Sequence, residues 1–350
     1  MPLDINRSGA NASASDGNPP GHELPQVALL TTGGTIAMRI DPELNAPVPA
    51  LNGDELLASL PSGSCKARIE IHNLLNVASN CMGPAIWRTL TRQVQEVLAR
   101  PDISGIVISH GTDTLEETAW WLDLTIDSAK PVVLTGAQRD ASQGDYDGPR
   151  NLADAIAVAA SPMSRGQGVV IVMCGRICAA RFATKSHTMN PDAFRGGEAG
   201  YLGRVTEGQV QLRQSVSRHD VFILPSDQAK PRVDIVQDYA GANADAFTDA
   251  VARGAQGVVV QGFGMGNVSP ALYEGILQGL AKGVKVVIST RVPHGEVRPY
   301  YGYIGGGKML AEAGVIMASD LPAHKARILL MLALSNGITR HSELQALFLR

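Results

Sequence analysis

Short apolar runs that each break on a glycine-bearing polar turn recur along this chain, and they restrict it to folds built on buried strands. The clearest are residues 27–30 before Thr31-Thr32-Gly33-Gly34-Thr35, and residues 103–108 before Ser109-His110-Gly111-Thr112-Asp113-Thr114. Two more are residues 131–135 before Gly136-Ala137-Gln138 and residues 168–173 before Cys174-Gly175. Helical spacing follows in Leu115–Thr125, and an Ala-rich helix over residues 151–160 stands between the last two runs. Strands alternating with helices predict right-handed crossovers and a mainly parallel sheet.

A chain of 350 residues suits two such units. The regularity lapses over residues 205–230, a polar stretch with Gln, Ser, Arg and Pro that reads as a linker. A second unit then repeats the theme in residues 257–261 before Gly262-Phe263-Gly264-Met265-Gly266-Asn267, in residues 284–290, and in a Gly/Tyr-rich loop over residues 294–307. The closing helix, Ala323–Ser335, is apolar on nearly every face and is expected to be buried, against another subunit or within the chain. The expected organisation is a tail over residues 1–25, a larger N-terminal α/β domain over 26–204, the linker, and a smaller C-terminal α/β domain over 231–350.

Composition excludes several function classes. The formal net charge is -3 and no basic cluster carries interleaved aromatics, so nucleic acid is not an expected partner. Cys65, Cys81, Cys174 and Cys178 make neither a disulfide framework nor a C-x-x-C metal pattern, and read as small buried thiols. Residues 1–25 are rich in Ser, Asn, Gly and Pro and lack an apolar core, which reads as a disordered tail. No run approaches the roughly 20 apolar residues of a membrane span, so a soluble, cytoplasmic protein is expected.

The glycine turns do not fit phosphate loops: Gly33-Gly34-Thr35 lacks the P-loop Lys, and Gly262-x-Gly264-x-Gly266 misses the dinucleotide spacing. They are instead loaded with hydroxyl, amide and ionisable groups at the sheet ends. Thr35 follows a glycine pair, where its hydroxyl can face a cleft while backbone N–H groups stay free for an oxyanion. A threonine needs a neighbouring base, and Thr112, Asp113 and Lys185, in Ala183-Thr184-Lys185-Ser186, supply the residue types for one. His110 invites a general-base reading, with structural support as the alternative.

Thr31-Thr32-Gly33-Gly34-Thr35-Ile36-Ala37 and Ser109-His110-Gly111-Thr112-Asp113-Thr114-Leu115-Glu116-Glu117-Thr118-Ala119 resemble the two signature segments of the bacterial-type L-asparaginases. The resemblance continues through residues 131–139, Asp147-Gly148-Pro149-Arg150-Asn151-Leu152, Thr184-Lys185, Arg291-Val292-Pro293 and residues 325–333, covering nearly everything after the tail. It implies a two-domain α/β fold and hydrolysis of L-asparagine to aspartate and ammonia, with no metal or organic cofactor. It implies Thr35 as nucleophile, forming an acyl-enzyme, and Thr112, Asp113 and Lys185 as a second essential group. Substrate contacts implied by the match fall on Gly34, Ser79, Asn80, Gly111, Asp113 and Ala137, with Asp113 on the α-ammonium and Ser79 on the α-carboxylate. Family members are homotetramers with sites at a dimer interface.

Two departures from the family matter. The loop over residues 38–52 has no Tyr, and none precedes Tyr146, whereas many relatives activate the nucleophile with a loop tyrosine. The C-terminal Tyr300-Tyr301-Gly302-Tyr303 suggests that Tyr301 or Tyr303 of a neighbouring subunit replaces it, with packing at an interface as the alternative; Asn267 matches a residue that reaches an adjacent site. Beside Ser79 stand Asn80-Cys81 where relatives commonly have Gln-Asp, which implies weak glutaminase activity. The rival readings are a related enzyme for another amide and a catalytically silent amino-acid-binding protein.

Overall fold

A computed structural model describes residues 24–218, 220–224 and 231–349. The tail read over residues 1–25 thus lies almost wholly outside the described residues. The N-terminal unit comprises β1 (Gln26–Gly33), β2 (Met38–Asp41), β3 (Ala46–Pro49), α1 (Gly53–Ala58), β4 (Arg68–Val77), α2 (Pro84–Leu98), β5 (Ile103–Ser109) and α3 (Leu115–Thr125). It continues with β6 (Val132–Thr135), α4 (Gly148–Ala160), β7 (Val169–Met173), β8 (Arg176–Ala179), β9 (Thr184–Lys185), β10 (Phe194–Arg195), β11 (Gly203–Thr206) and β12 (Gln209–Leu212).

Eight of these strands form one sheet in the order β12-β11-β8-β7-β6-β5-β1-β4. The five strands from β4 to β7 are parallel, and β8, β11 and β12 add antiparallel to the far edge. Strand residues alternate between two cores, as the pleat requires. Ala28, Leu30, Ile106 and Ile108 join α2 and α3, while Val27, Leu29, Val107 and Val133 join α1 and α4.

That division overturns the expectation of uniformly right-handed crossovers. β5 to β6 through α3 and β6 to β7 through α4 step the same way along the sheet, yet the two helices cover opposite faces. The two connections therefore have opposite hands. β1 to β4 and β4 to β5 reverse both step and face together and share the hand of the α3 connection. With the near-universal right-handed rule applied to those three, the α4 crossover is left-handed. Its long loop between Thr135 and Gly148 carries Ala137, so the irregular connection belongs to the sheet's functional edge.

The stretch 205–230 read as a linker begins inside β11 and includes β12; Val205, Val210 and Leu212 alternate with polar residues in a hairpin on β8. One-sided burial explains that polar alternation. The loop over residues 38–52 is a β2–β3 hairpin closed by Asn52, whose side chain accepts from Glu55 N–H while Glu55 accepts from Asn52 N–H.

The C-terminal unit holds β13 (Val233–Gln237), α5 (Asp245–Ala252), β14 (Gly257–Gly262), α6 (Pro270–Ala281), β15 (Lys285–Thr290), α7 (Gly307–Glu312), β16 (Ile316–Met317), α8 (Ala323–Ser335) and α9 (His341–Phe348). Its four strands are parallel in chain order. Helix α8 is the helix expected to be buried, and its cover lies within the chain: it packs on β13, β14 and β15 and against α3 of the N-terminal unit. It is followed by α9, so it does not close the chain. Of the four thiols only Cys178 is buried; Cys81 and Cys174 are exposed, which corrects their reading as buried, and all four are free.

Candidate active site

The chain leaves β1 for β4 on one side and resumes at β5 on the other, so the carboxyl ends of β1 and β5 form the switch point at which open α/β sheets place ligands. Both polar turns singled out from the sequence stand there. Gly33 and Gly34 have φ of +99° and +86°, which disfavours any side chain. A Cβ on Gly34 would lie 2.2 Å from Gly111 Cα, so the two turns meet backbone to backbone and bring Thr35, in the single 3₁₀ turn Thr35–Ala37, beside Gly111-Thr112. Gly34 N–H donates to Val77 O at 3.1 Å, tying in the end of β4.

Ser79 opens the short 3₁₀ turn Ser79–Cys81 beyond β4 and is buried. A Cβ on Gly111 would stand 2.8 Å from Ser79 Oγ, and Thr114 Oγ1 donates to Ser79 O at 2.7 Å. The turns that carry Thr35, Ser79 and Gly111 therefore stand side by side, while the neighbouring Asn80 is exposed.

Lys185 arrives from a remote segment. Its Nζ donates to Thr112 Oγ1 at 2.9 Å and Asp113 Oδ1 at 2.7 Å. The Lys185 side chain is 15% exposed and that of Asp113 73%, so the ammonium is sheltered while the carboxylate keeps an open face toward an incoming group. The backbone N–H of Lys185 donates to Glu116 Oε1 at 3.1 Å. Burial would raise the Glu116 carboxyl, yet His324 and then Lys325 hold it at about 2.

The Ala137 side is held by Asp147 and Asn151. Asp147 Oδ1 accepts from the N–H groups of Gln138 and Arg139 at 3.1 and 2.9 Å. Asn151 Nδ2 donates to Gly136 O and Asp147 Oδ2, both at 3.0 Å, and its Oδ1 accepts from Cys174 N–H at 2.9 Å. Ala137 is buried. The Asp147-to-Leu152 motif thus pins the turn after β6.

His110 is fully buried, and burial pushes its pKa down to about 4 against a backbone bond to Gly111. Trp87 Nε1 donates to Thr118 Oγ1 at 2.8 Å, leaving the Thr118 hydroxyl to donate to His110 Nε2 at 2.9 Å and His110 Nδ1 to donate to Gly111 O at 2.7 Å. This network assigns a neutral, structural imidazole.

Among the described residues, Asn267, Tyr301 and Tyr303 make no hydrogen bond or ring contact with these turns. Asn267 Oδ1 accepts from Gly307 N–H at 3.2 Å, and the tyrosine rings contact one another, with Tyr301 and Tyr303 centroids 5.4 Å apart. Tyr301 and Tyr303 are 38% and 54% exposed. Glu296 is occupied by Arg298, which lowers its pKa.

Three residues that sequence reasoning does not single out touch the site's framework: Glu116, Lys325 and Tyr146. Glu116 lies in the second signature segment, where its position in the first turn of α3 is a usable signal; Lys325 stands beside His324 and Arg327 on α8, and nothing local marks it out. A cavity of about 930 Å³ opens between the two units, lined by residues such as Arg181, Glu296 and Asp320, but none of Thr35, Thr112 or Lys185 is on its wall. No helix among the described residues is long and apolar enough to cross a membrane.

Comparison with known proteins matches residues 26–218 to the family model "Asparaginase, N-terminal" and residues 232–348 to the model "Glutaminase/Asparaginase C-terminal domain". L-asparaginase 2 of Bacillus subtilis is 35% identical over 335 residues, spanning 93% of this chain and 86% of its own. A protein named "Probable L-asparaginase" from Deinococcus radiodurans is 39% identical over 319 residues, spanning 91% and 95% respectively. The crystal structure of the "Probable Cytoplasmic L-asparaginase from Campylobacter jejuni" superposes with a TM-score of 0.84 at 34% identity, covering 93% of this chain and 99% of that one.

Proposed function

The chain belongs to the asparaginase family, and from that premise we infer that it is an L-asparaginase, an amidohydrolase releasing ammonia and L-aspartate from L-asparagine. The observation that carries the reading is the fork of Lys185 onto Thr112 Oγ1 and Asp113 Oδ1, set beside the nucleophile turn by the Gly34–Gly111 contact.

Each part of the substrate has a complementary group. The open carboxylate of Asp113 suits an α-ammonium, and the hydroxyl of Ser79 suits an α-carboxylate. These contacts would leave the side-chain amide between Thr35 and the turn at Ala137. Thr35 Oγ then attacks the amide carbon, and the Thr112 N–H serves the resulting oxyanion. The C–N bond breaks as the nitrogen takes the proton given up by the Thr35 hydroxyl, ammonia leaves, and water cleaves the Thr35 ester to free aspartate. Asn80, shorter than the Gln common in relatives, changes how the substrate end is held, and weak glutaminase activity is expected, a substrate methylene being worth only about 1–3 kcal/mol.

The exposed tyrosines complete the reading. A neighbouring subunit contributes Tyr301 or Tyr303 to Thr35, with Asn267 beside it, in a homotetramer made of dimers. The Campylobacter jejuni protein is named cytoplasmic, which supports the cytoplasm as this chain's compartment, although a Haemophilus influenzae relative is named periplasmic. Ammonia release from asparagine by the wild type and by Thr35→Ala tests the whole: turnover in the first and its loss, by about 10³-fold or more, in the second are expected. Equal turnover by both would remove Thr35 as nucleophile, and binding without turnover by the wild type would favour a silent binding protein.

A further inference from the structure

Lys325 lies on α8 of the C-terminal unit and has no exposed surface. A fully buried ammonium is costly unless its donors are all met. Here all three are spent on backbone carbonyls of one segment of the N-terminal unit: Ala180 O at 2.8 Å, Arg181 O at 3.0 Å and Ala183 O at 2.5 Å. That segment ends two residues before Lys185. Its carbonyls point at a side chain instead of a neighbouring strand because β8 stops at Ala179 and β9 starts at Thr184.

The same ammonium is 3.8 Å from Glu116 Oε2, which His324 Nε2 also approaches at 3.1 Å. Glu116 is the second residue of α3, immediately after the turn that carries Thr112 and Asp113, and its other oxygen takes the backbone N–H of Lys185. One carboxylate therefore joins the Thr112–Asp113 turn to the Lys185 strand, and one ammonium from the other domain fastens both. Trp120 Nε1 donates to Lys325 O at 3.2 Å and fixes the α8 backbone on α3.

We infer that Lys325, with Glu116, is a positioning residue for the reaction: the C-terminal domain sets where the Lys185 ammonium stands against Thr112 and Asp113 by clamping the Ala180–Ala183 carbonyls from α8. The inference rests on the asparaginase reading above. Lys325 touches neither substrate nor reacting atoms; it acts through the backbone of Lys185. It also explains a buried charge in α8, whose other buried residues are all apolar: a methylene chain of the same length would leave three carbonyls without donors.

Lys325→Met keeps the side-chain volume and removes the donors; Glu116→Gln removes the charge and keeps an acceptor for Lys185 N–H. At a temperature where circular dichroism shows each variant folded, Lys325→Met is expected to lower kcat about tenfold or more while KM for asparagine stays within about threefold. Glu116→Gln is expected to lose about threefold to tenfold in kcat, and the double variant to be no worse than Lys325→Met, because both cut one brace. A crystal structure of Lys325→Met should show Lys185 Nζ beyond about 3.5 Å from Thr112 Oγ1. Wild-type kcat in a variant that merely melts earlier, or both Lys185 bonds intact in the crystal, overturns the inference. Should Lys325→Met not fold, Glu116→Gln is judged by the same kinetic and crystallographic criteria. Absence of wild-type ammonia release would sink the asparaginase reading instead, and the Lys185 geometry would still decide this one.

Discussion

Tyr146 donates its phenolic hydrogen to the carbonyl oxygen of Ile36 at 2.6 Å, fastening the residue after Thr35 to the loop that leads into α4. Burial raises the phenol pKa, and Asp147 adds to the rise, so the group remains a donor across the working pH range. The first tyrosine in the chain thus supports the nucleophile turn from behind. Tyr146→Phe removes one partly buried hydrogen bond, about 1 kcal/mol of stability. The expected result is a small fall in melting temperature with kcat down several-fold and KM nearly constant. An unchanged kcat would mean that the Gly34–Gly111 contact holds Thr35 unaided.

Asn151 gives a second expectation. It joins Gly136, Asp147 and Cys174 through three hydrogen bonds at 2.9–3.0 Å and is 1% exposed. Asn151→Ala strands buried donors and acceptors and should cost about 2–3 kcal/mol. Asn151→Asp should cost more, because it sets a second carboxylate against Asp147 and loses the bond to Gly136. Urea midpoints should fall in the order wild type, Asn151→Ala, Asn151→Asp, and KM should rise as the Ala137 turn loosens. Asn151→Asp matching the wild type would contradict the amide orientation that the network assigns.

Much of this is legible in the residues. The buried runs at 27–30, 103–108 and 257–261 carry local apolar patterns too strong to be anything but strands, and the strands β1, β5 and β14 contain them. β4 is not legible in this way, because no residue along it is fully buried and its first six residues, Arg-Ile-Glu-Ile-His-Asn, lack an apolar run. The hand of the α4 crossover is a global property with no local signal. Thr35, Thr112 and Lys185 announce themselves only by residue type and turn position; the contact of Lys185 with Thr112 joins positions 73 residues apart, a long-range event with no local signal. Lys325 is hidden because a helix apolar on nearly every face gives no cue as to which polar residue within it is buried.

The paired roles proposed for Thr35 and the C-terminal tyrosines can be separated by mixing. A Tyr301→Phe/Tyr303→Phe double variant and Thr35→Ala are each expected to lose most activity. If one subunit supplies the threonine and its partner the tyrosine, dissociating and reassociating an equal mixture regenerates intact sites in hybrids, restoring about a quarter of wild-type sites. No recovery from verified hybrids would place both groups in one chain, and full turnover by the double variant would leave the tyrosines as packing residues.

Acid stability offers a test of the interior that does not depend on substrate. His110 titrates at about 4 when folded, below its ordinary 6.5, because burial disfavours the cation. Between those values the unfolded chain binds more protons, so stability falls as pH drops through the window, by up to about 3 kcal/mol. Asp154 opposes it. Its Oδ2 is buried without a hydrogen-bond partner among the described residues, and burial pushes its pKa up to about 6 from 3.8 while Arg150 pulls it down. There the folded chain binds the proton first, so stability rises as pH falls from 6 to 3.8, again by up to about 3 kcal/mol. The wild-type profile should therefore be flatter than either group alone would make it. Asp154→Asn removes the opposing gain, and should be more stable than wild type at about pH 7.5 and lose that advantage by about pH 4. His110→Gln should be less stable overall yet resist acid better than wild type over the same range. Urea midpoints taken across that range decide the matter: an Asp154→Asn curve parallel to the wild type would mean that the carboxylate is solvated in the folded protein and that its buried oxygen has found a partner in water.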